Sequence, residues 1–486
     1  MPDMPRDRSG GGAHPAWPVL EAGGAAVLSC VSAFAIAHIV GPAELGIGAA
    51  AVAVHVLLWV AVNALFADPL TQSASTDPRE ISSAFWASTG FGVLAALVQA
   101  GCGPVLAAML DDARLVPMCL ALALPLPLVG AAGAVQGLLT RARRYDVLAA
   151  RAVLGQGLGT VLGIVLALRG AGGWALVAQQ AATAAVGAML LLARAGWRPV
   201  LAWKPAPVRA MLRQGLPITG AVLAQLGRYR LFVVLVGALL GPAALGHLHL
   251  AFRLVDTVRE LLATALWRLL LPGLSDWRDD LPGLAAAMDR ALRLYAVALF
   301  PVCGLMLVGL APLTAWLLGP DWADSGEAAL PLVALMGWTI LAFAANVAAI
   351  TRGGARIALT MHLGSLGLTL VLTLLLGPET PLAAAWIWVG AQAILLPWMA
   401  WRTAALLELP VGRLYRAGLP ALAGTVGAVL AAFVVCPVLL EPATAPGVLF
   451  ARLAGFGVAY LPLAVVLLRG LSWRGLWPAR LADATR

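Results

Sequence analysis

Long, uniformly apolar stretches separated by short polar breaks run from about residue 18 to about residue 470. About fourteen can be marked, at 18–40, 45–66, 82–107, 115–138, 152–169, 174–195, 215–240, 245–270, 287–310, 328–350, 355–377, 382–405, 415–440 and 446–470. Each is close to the ~20 residues that carry a helix across ~30 Å of hydrocarbon. A barrel strand needs only ~10 residues of alternating polarity, and these runs are longer and do not alternate. Several breaks are Gly-Pro: Gly41-Pro42, Gly241-Pro242, Gly319-Pro320 and Gly377-Pro378. Glycine ends a helix in the left-handed conformation, and proline prevents its continuation. The pattern predicts an all-α polytopic membrane protein of about 14 transmembrane helices.

One break is repeated. Gly41-Pro42-Ala43-Glu44-Leu45-Gly46 returns 200 residues later as Gly241-Pro242-Ala243-Ala244-Leu245-Gly246, each copy between two apolar runs. An internal repeat of that length, built from spanning helices, marks a transporter made of two related bundles, with the substrate site between the halves near mid-membrane. The expected organisation is a cytosolic tail (1–17), a six-helix bundle (18–210), a second pseudo-symmetric six-helix bundle (211–405), and two additional helices with a basic cytosolic tail (406–486). A basic, proline-broken connector, Trp197-Arg198-Pro199 through Lys204-Pro205, separates the bundles.

Composition agrees. The chain is 61% hydrophobic and 11% charged, against about 25% charged in soluble domains. The net charge of +9 raises the question of nucleic acid, and its distribution answers it. With an even number of spans, 26 of the 32 basic residues fall on one side, including Arg141, Arg143, Arg144 and Arg151. The other side has Arg114, Arg169 and Arg452, and Arg228, Arg230 and Arg253 lie inside spans. This asymmetry predicts both termini in the cytosol. The first run is too long for a cleavable signal, and no small-residue cleavage site follows it. Five isolated cysteines offer no disulfide or metal spacing. The single lysine, Lys204, stands between Trp203 and Pro205 and forms no P-loop. No cofactor, bound metal or enzymatic activity is expected, and no nucleic-acid partner.

Candidate chemistry lies in the spans, where an ionisable residue is expensive. Arg228 and Arg230 are near the middle of the seventh run. Gln225 shares a face with Arg228, while Arg228 and Arg230 point about 200° apart. The eighth run carries His249, Arg253, Asp256 and Glu260 at spacings of four, three and four, which put them on one face. Together they suit a substrate-binding wall for pyrophosphate, because arginine offers planar, permanently charged donors. The bland reading is an internal ion-pair network in which Asp256 meets Arg253, Arg228 or Arg230. His55 lies mid-span as a proton shuttle or an interhelical hydrogen bonder. Glu21 and Asp68, with Gln72, sit where a cytosolic mouth would open. Span glutamines such as Gln156 and Gln179 suit sugar hydroxyls or helix–helix bonds.

Several stretches carry a resemblance. They are Ala37-His38-Ile39-Val40 leading into the first Gly-Pro motif, Gly173-Trp174-Ala175-Leu176 followed by Trp197-Arg198-Pro199, and Leu239-Leu240 with the second motif leading to Leu250-Ala251-Phe252-Arg253-Leu254. Leu271-Pro272-Gly273-Leu274-Ser275 and Leu318-Gly319-Pro320-Asp321-Trp322-Ala323 complete the set. In order and spacing, the chain resembles the Wzx-like polysaccharide and oligosaccharide-lipid flippases of the multidrug/oligosaccharidyl-lipid/polysaccharide (MOP) exporter superfamily. The resemblance implies fourteen helices, a central cavity between two six-helix bundles, and transfer of undecaprenyl-pyrophosphate-linked glycans across the bacterial inner membrane. Implied partners are the lipid-linked oligosaccharide, membrane lipid, and polysaccharide polymerase and export proteins, with the chain acting as a monomer. Relatives often carry an aromatic just after the second hairpin, where this chain has His247-Leu248-His249. Competing readings are an ion-coupled drug exporter of the same superfamily, a non-transport scaffold of polysaccharide assembly, and an intramembrane glycan polymerase or ligase.

Overall fold

A computed structural model describes residues 16–73, 77–275, 277, 280–352, 355–439 and 445–469. The basic tail beyond Arg469 lies outside the described residues, as does all but the end of the expected N-terminal tail. The helices are α1 (Ala16–Gln72), α2 (Pro78–Leu110), α3 (Leu115–Ala123), α4 (Leu126–Arg141), α5 (Tyr145–Leu168), α6 (Trp174–Ala193), α7 (Pro205–Leu240), α8 (Pro242–Ser275) and α9 (Leu281–Leu318). A short 3₁₀ turn (Pro320–Trp322) leads to α10 (Ala323–Thr351), α11 (Ala355–Leu376), α12 (Pro381–Leu407), the one-turn α13 (Arg413–Arg416), α14 (Leu419–Leu439) and α15 (Ala445–Arg469).

Each expected span has its helix, with informative differences at the edges. Helix α1 breaks at Gly41 (φ 77°, ψ 169°) into the first two spans. The run at 115–138 is split into α3 and α4 at Leu124-Pro125, where proline removes a backbone donor. Nine helices among the described residues are long and apolar enough to cross a membrane, and three shorter apolar ones accompany them. Helix α5 starts at Tyr145, seven residues before the apolar run. Arg151, read from sequence as a cytosolic flank, is therefore inside a helix.

Three of the four Gly-Pro breaks depart from the left-handed cap, while Gly377 (φ 52°) keeps its φ. Gly241 (φ 91°, ψ 172°) and Gly319 (φ 97°, ψ 172°) repeat the Gly41 geometry. This region, with φ positive and ψ near 170°, is open essentially to glycine alone. Proline then starts the next helix with its φ already set.

By contacts the chain divides into two compact units, Met1–His249 and Leu250–Arg486. In the first, Phe66, Leu65, Leu126 and Leu139 belong to apolar core clusters, while the middle of α2 turns small and polar residues inward. Along α2, Ser82, Ser88, Gly92 and Gln99 are buried, while Leu94 and Leu97 are 55% and 66% exposed. That inversion belongs to a lipid-facing helix, where small residues let backbones approach. Ser88 Oγ donates to the Gly130 carbonyl of α4 at 2.6 Å, and Gln179 of α6 bonds Ser32 of α1.

The two repeat motifs meet inside this unit. A Cβ on Gly46 would stand 1.9 Å from the Pro242 carbonyl oxygen, and a Cβ on Gly246 would stand 1.9 Å from that of Pro42. The contact is reciprocal, as a two-fold repeat requires. Glu44, which the second copy replaces with Ala244, anchors the first copy further. Its carboxylate accepts from Gly173 N (2.8 Å) at the start of α6 and from Arg114 Nη1 (3.0 Å), which Asp112 also holds. Three of the sequence stretches that carried the resemblance thus converge at one end of the unit.

The connector between α6 and α7 is pinned to the start of α2. Val200 N donates to Ser82 Oγ (3.1 Å), Lys204 N to Ser83 Oγ (2.9 Å), and Trp86 Nε1 to the Val200 carbonyl (3.0 Å). Lys204 Nζ pairs with Asp77, the N-cap of α2, at 2.6 Å.

In the second unit α9 packs on α10, and α14 and α15 pack on α9. Val308 of α9 joins Ala428 and Ala432 of α14 and Phe456 and Tyr460 of α15 in a buried cluster. Phe252 of α8 meets Trp388 of α12 edge-on, and Gln392 of α12 bonds Ser365 of α11.

Candidate functional site

Helix α7 is unbroken from Pro205 to Leu240, with Pro217 accommodated inside it. Arg228 lies twelve residues from its Leu240 end and Arg230 ten, or about 18 and 15 Å along the axis. Both arginines are half-buried and Gln225 is exposed. Tyr229 organises this stretch. The Arg230 guanidinium lies over its ring, 4.9 Å from the centroid, and its hydroxyl is 3.1 Å from His249 Nδ1 of α8. Cation, ring and imidazole therefore form one connected set inside the first unit. Arg228 Nε is shielded from solvent.

Helix α8 is also unbroken through its polar positions. His249, Arg253 and Asp256 are half-buried and Glu260 is exposed, whereas Leu250, Ala251, Phe252, Leu254 and Val255 between them are buried. The polar residues thus share the less covered side, as their spacing predicts. Asp256 Oδ1 pairs with Arg259 Nη2 at 2.8 Å, one turn along the same helix. Arg259 is a partner beyond Arg253, Arg228 and Arg230, which the sequence offers Asp256. Arg259 was missed because it had been set down as a flanking charge, although it stands three residues from Asp256, the spacing at which helical side chains meet.

The profile of the family described as polysaccharide biosynthesis protein matches residues 35–327. The chain belongs to this family. That match encloses every stretch on which the resemblance rested. The succinoglycan biosynthesis transport protein ExoT of Rhizobium meliloti (strain 1021) is 24% identical over 307 residues, 63% of this chain. The chain spans 62% of the length of that curated relative. Among solved structures, the lipid II flippase MurJ in an inward closed conformation superposes with a TM-score of 0.72 at 10% identity, covering 92% of this chain and 99% of that one. An inward-facing MATE-family multidrug resistance transporter of the MOP superfamily gives 0.60 at 14% identity, over 79% and 96%. At such identities the likeness speaks for the fold. The protein is a multi-pass membrane protein with the MOP transporter fold.

Other candidate residues of this polysaccharide biosynthesis family member fall elsewhere. His55 is 2% exposed, in the core of the first unit, and its Nδ1 is buried with no hydrogen-bond partner. Gln99 of α2 donates to the Ala51 carbonyl, one helical turn before His55. Asp68 is exposed near the end of α1, and Gln72 beyond it accepts from Gln214 Nε2 of α7 at 2.7 Å. Glu21 faces Arg151 of α5 at 3.7 Å. The sequence reading missed Arg151 and Tyr229. Tyr229 carried a signal, standing between two in-span arginines. Arg151 was hidden by an apolar run that starts one residue after it.

Proposed function

We propose that the protein moves undecaprenyl-pyrophosphate-linked oligosaccharide from the inner to the outer leaflet of the bacterial inner membrane, by alternating access of its two repeat-related bundles. The observation that carries this reading is the Arg228-Tyr229-Arg230 stretch, two half-buried guanidiniums about half a bilayer's depth from the end of an otherwise apolar helix. Permanent cations at that depth suit a diphosphate head, with arginine donors matching its oxygens two at a time. The Tyr229 ring and His249 hold Arg230 in place. Arg253, on the less covered side of α8, is the third candidate for the same head group. The glycan follows the diphosphate while the lipid chain stays in the bilayer. Family membership and the transport names of ExoT and MurJ support the reading.

The test is a strain lacking the gene, from which undecaprenyl-linked glycans are extracted and assigned to a membrane face. Accumulation of completed glycan on the cytosolic face with loss of surface polysaccharide is expected. Complementation with Arg228→Ala and Arg230→Ala at normal protein level is expected to leave the block in place. Unchanged lipid-linked pools in the deletion strain would refute the function, and full export by both variants would refute the site.

A further inference from the structure

Inside the first unit, α1, α4, α5 and α6 enclose a partly open cavity of about 150 Å³. It lies wholly within one bundle, apart from the α7 arginines. Its lining combines Trp59, Asn63, Arg151, Gln156 and Thr183 with Val129, Ala132 and Leu191. A cavity with convergent polar groups on an apolar wall is the general form of a small-molecule site.

The Arg151 guanidinium is only partly satisfied. Its side chain is only 16% exposed, Nε is buried with no hydrogen-bond partner, and its ion pair with Glu21 is 3.7 Å long. That distance gives attraction but no hydrogen bond. Arginine has five donors, and leaving buried donors unmade is costly. Glu21 beside it brings the local charge close to neutral and adds acceptors. A lone anion would have to compete with Glu21 for Arg151. A hydroxyl-rich neutral group would instead accept from Arg151, donate to Glu21, exchange hydrogen bonds with amides and a hydroxyl, and rest an apolar face on Trp59.

We infer that this cavity is a subsite for one neutral sugar ring. It rests on the proposed transport of a lipid-linked glycan, and it assigns the first unit a role in sugar recognition apart from diphosphate binding. The volume sets the size: about 150 Å³ holds one ring, below the ~300 Å³ at which drug-sized pockets begin. The positive-inside reading puts Glu21, the end of α1 and the start of α5 on the cytosolic half, the side from which a newly assembled glycan arrives.

The structure supplies a blocking variant. A Cβ on cavity-lining Gly187 meets only the Arg151 carbonyl oxygen, at 3.9 Å. Gly187→Leu therefore starts its side chain at the cavity wall without a backbone clash at Cβ, and it improves helix propensity. The experiment is saturation-transfer NMR on the purified full chain in nanodiscs, with methyl β-glucoside and methyl β-galactoside as neutral probes and glucuronate and inorganic pyrophosphate as charged ones. At least one neutral glycoside is expected to bind. Its Kd is expected to rise about tenfold or more in Gly187→Leu, Arg151→Gln and Glu21→Gln. If a charge variant fails to fold, Gly187→Leu decides alone, with its thermal midpoint as the control. Absence of neutral binding, binding unchanged in Gly187→Leu, or displacement of the glycoside by pyrophosphate would each overturn the assignment. The binding needs no lipid carrier. A failed transport reading would show as unchanged lipid-linked pools with glycoside binding intact, and a failed subsite as the reverse.

Discussion

Replacing Gly46 with alanine tests the reciprocal contact of the two repeat motifs. The added methyl would lie 1.9 Å from the Pro242 carbonyl oxygen, 2.8 Å from its carbon and 3.0 Å from Gly246 N. Real Cβ contacts stay beyond 3.0 Å, so the two segments must part by at least about 1.1 Å. Every neighbour is main chain, so no rotamer change relieves the clash. Overpacking of this kind costs about 1–3 kcal/mol, and a rigid backbone neighbour points to the upper end. At roughly 2–4 °C per kcal/mol for a unit of this size, the melting midpoint should fall by about 5–10 °C. Thermal challenge of the detergent-solubilised full chain, followed by fluorescence-detected size exclusion, reads that shift. Gly90→Ala is the control: no atom lies within 4 Å of its new methyl, and it should match or slightly exceed the parent. Gly246→Ala should reproduce the loss, and the double variant should cost less than the sum because both relieve one contact. If Gly46→Ala melts with Gly90→Ala, the reciprocal contact is wrong.

Other outcomes follow from the same geometry. Tyr229→Phe removes the bond to His249 but keeps the ring under Arg230, and should cost about 1 kcal/mol of stability; Tyr229→Ala removes both and should lower export further, measured as surface polysaccharide at matched protein level. Glu44→Gln weakens the hold on Arg114 and Gly173 N; because both side chains are part-exposed, the loss should be about 1 kcal/mol, read as a lower thermal midpoint. At the connector, the ammonium of Lys204 and the Arg79 backbone N–H hold the Asp77 carboxyl below its usual value, and the hydrogen bond to Asp77 holds Lys204 above its own. The pair's contribution is complete above Asp77's unfolded value and below that of Lys204, and fades as pH falls through the lowered carboxyl or rises through the raised ammonium. Protease cleavage of residues 194–204 should therefore be flat from about pH 5 to about pH 9 and faster in Lys204→Gln throughout.

The helices were legible because membrane crossing demands length and apolarity, and the runs state both. The Gly-Pro breaks were legible for a similar reason, since few residues tolerate that backbone. Edges were not. Arg151 precedes an apolar run by one residue, and hydropathy has no way to tell a flanking charge from one drawn into a bundle by Glu21. The Asp256–Arg259 pair shows another limit: Arg259 stands three residues from Asp256, yet counting charges by membrane side put it outside the span. The crossing of Gly46 and Gly246 follows from neither hydropathy nor spacing. The repeat announced two copies of a motif and was silent about their touching.

The pinned connector has a consequence for how the chain is made. Ser82 and Ser83, at the start of α2, accept from backbone donors that lie 118 and 121 residues further on. At about 5–20 residues per second, a ribosome takes roughly 6–24 seconds to supply those partners. Until then that end of α2 has only its own turn to bond with, and the first six helices wait in the membrane as an unsealed set. The seal closes as Lys204 emerges, one residue before α7 begins. The order of synthesis thus supplies the partners of Ser82 and Ser83 late, the second of them at the junction with α7.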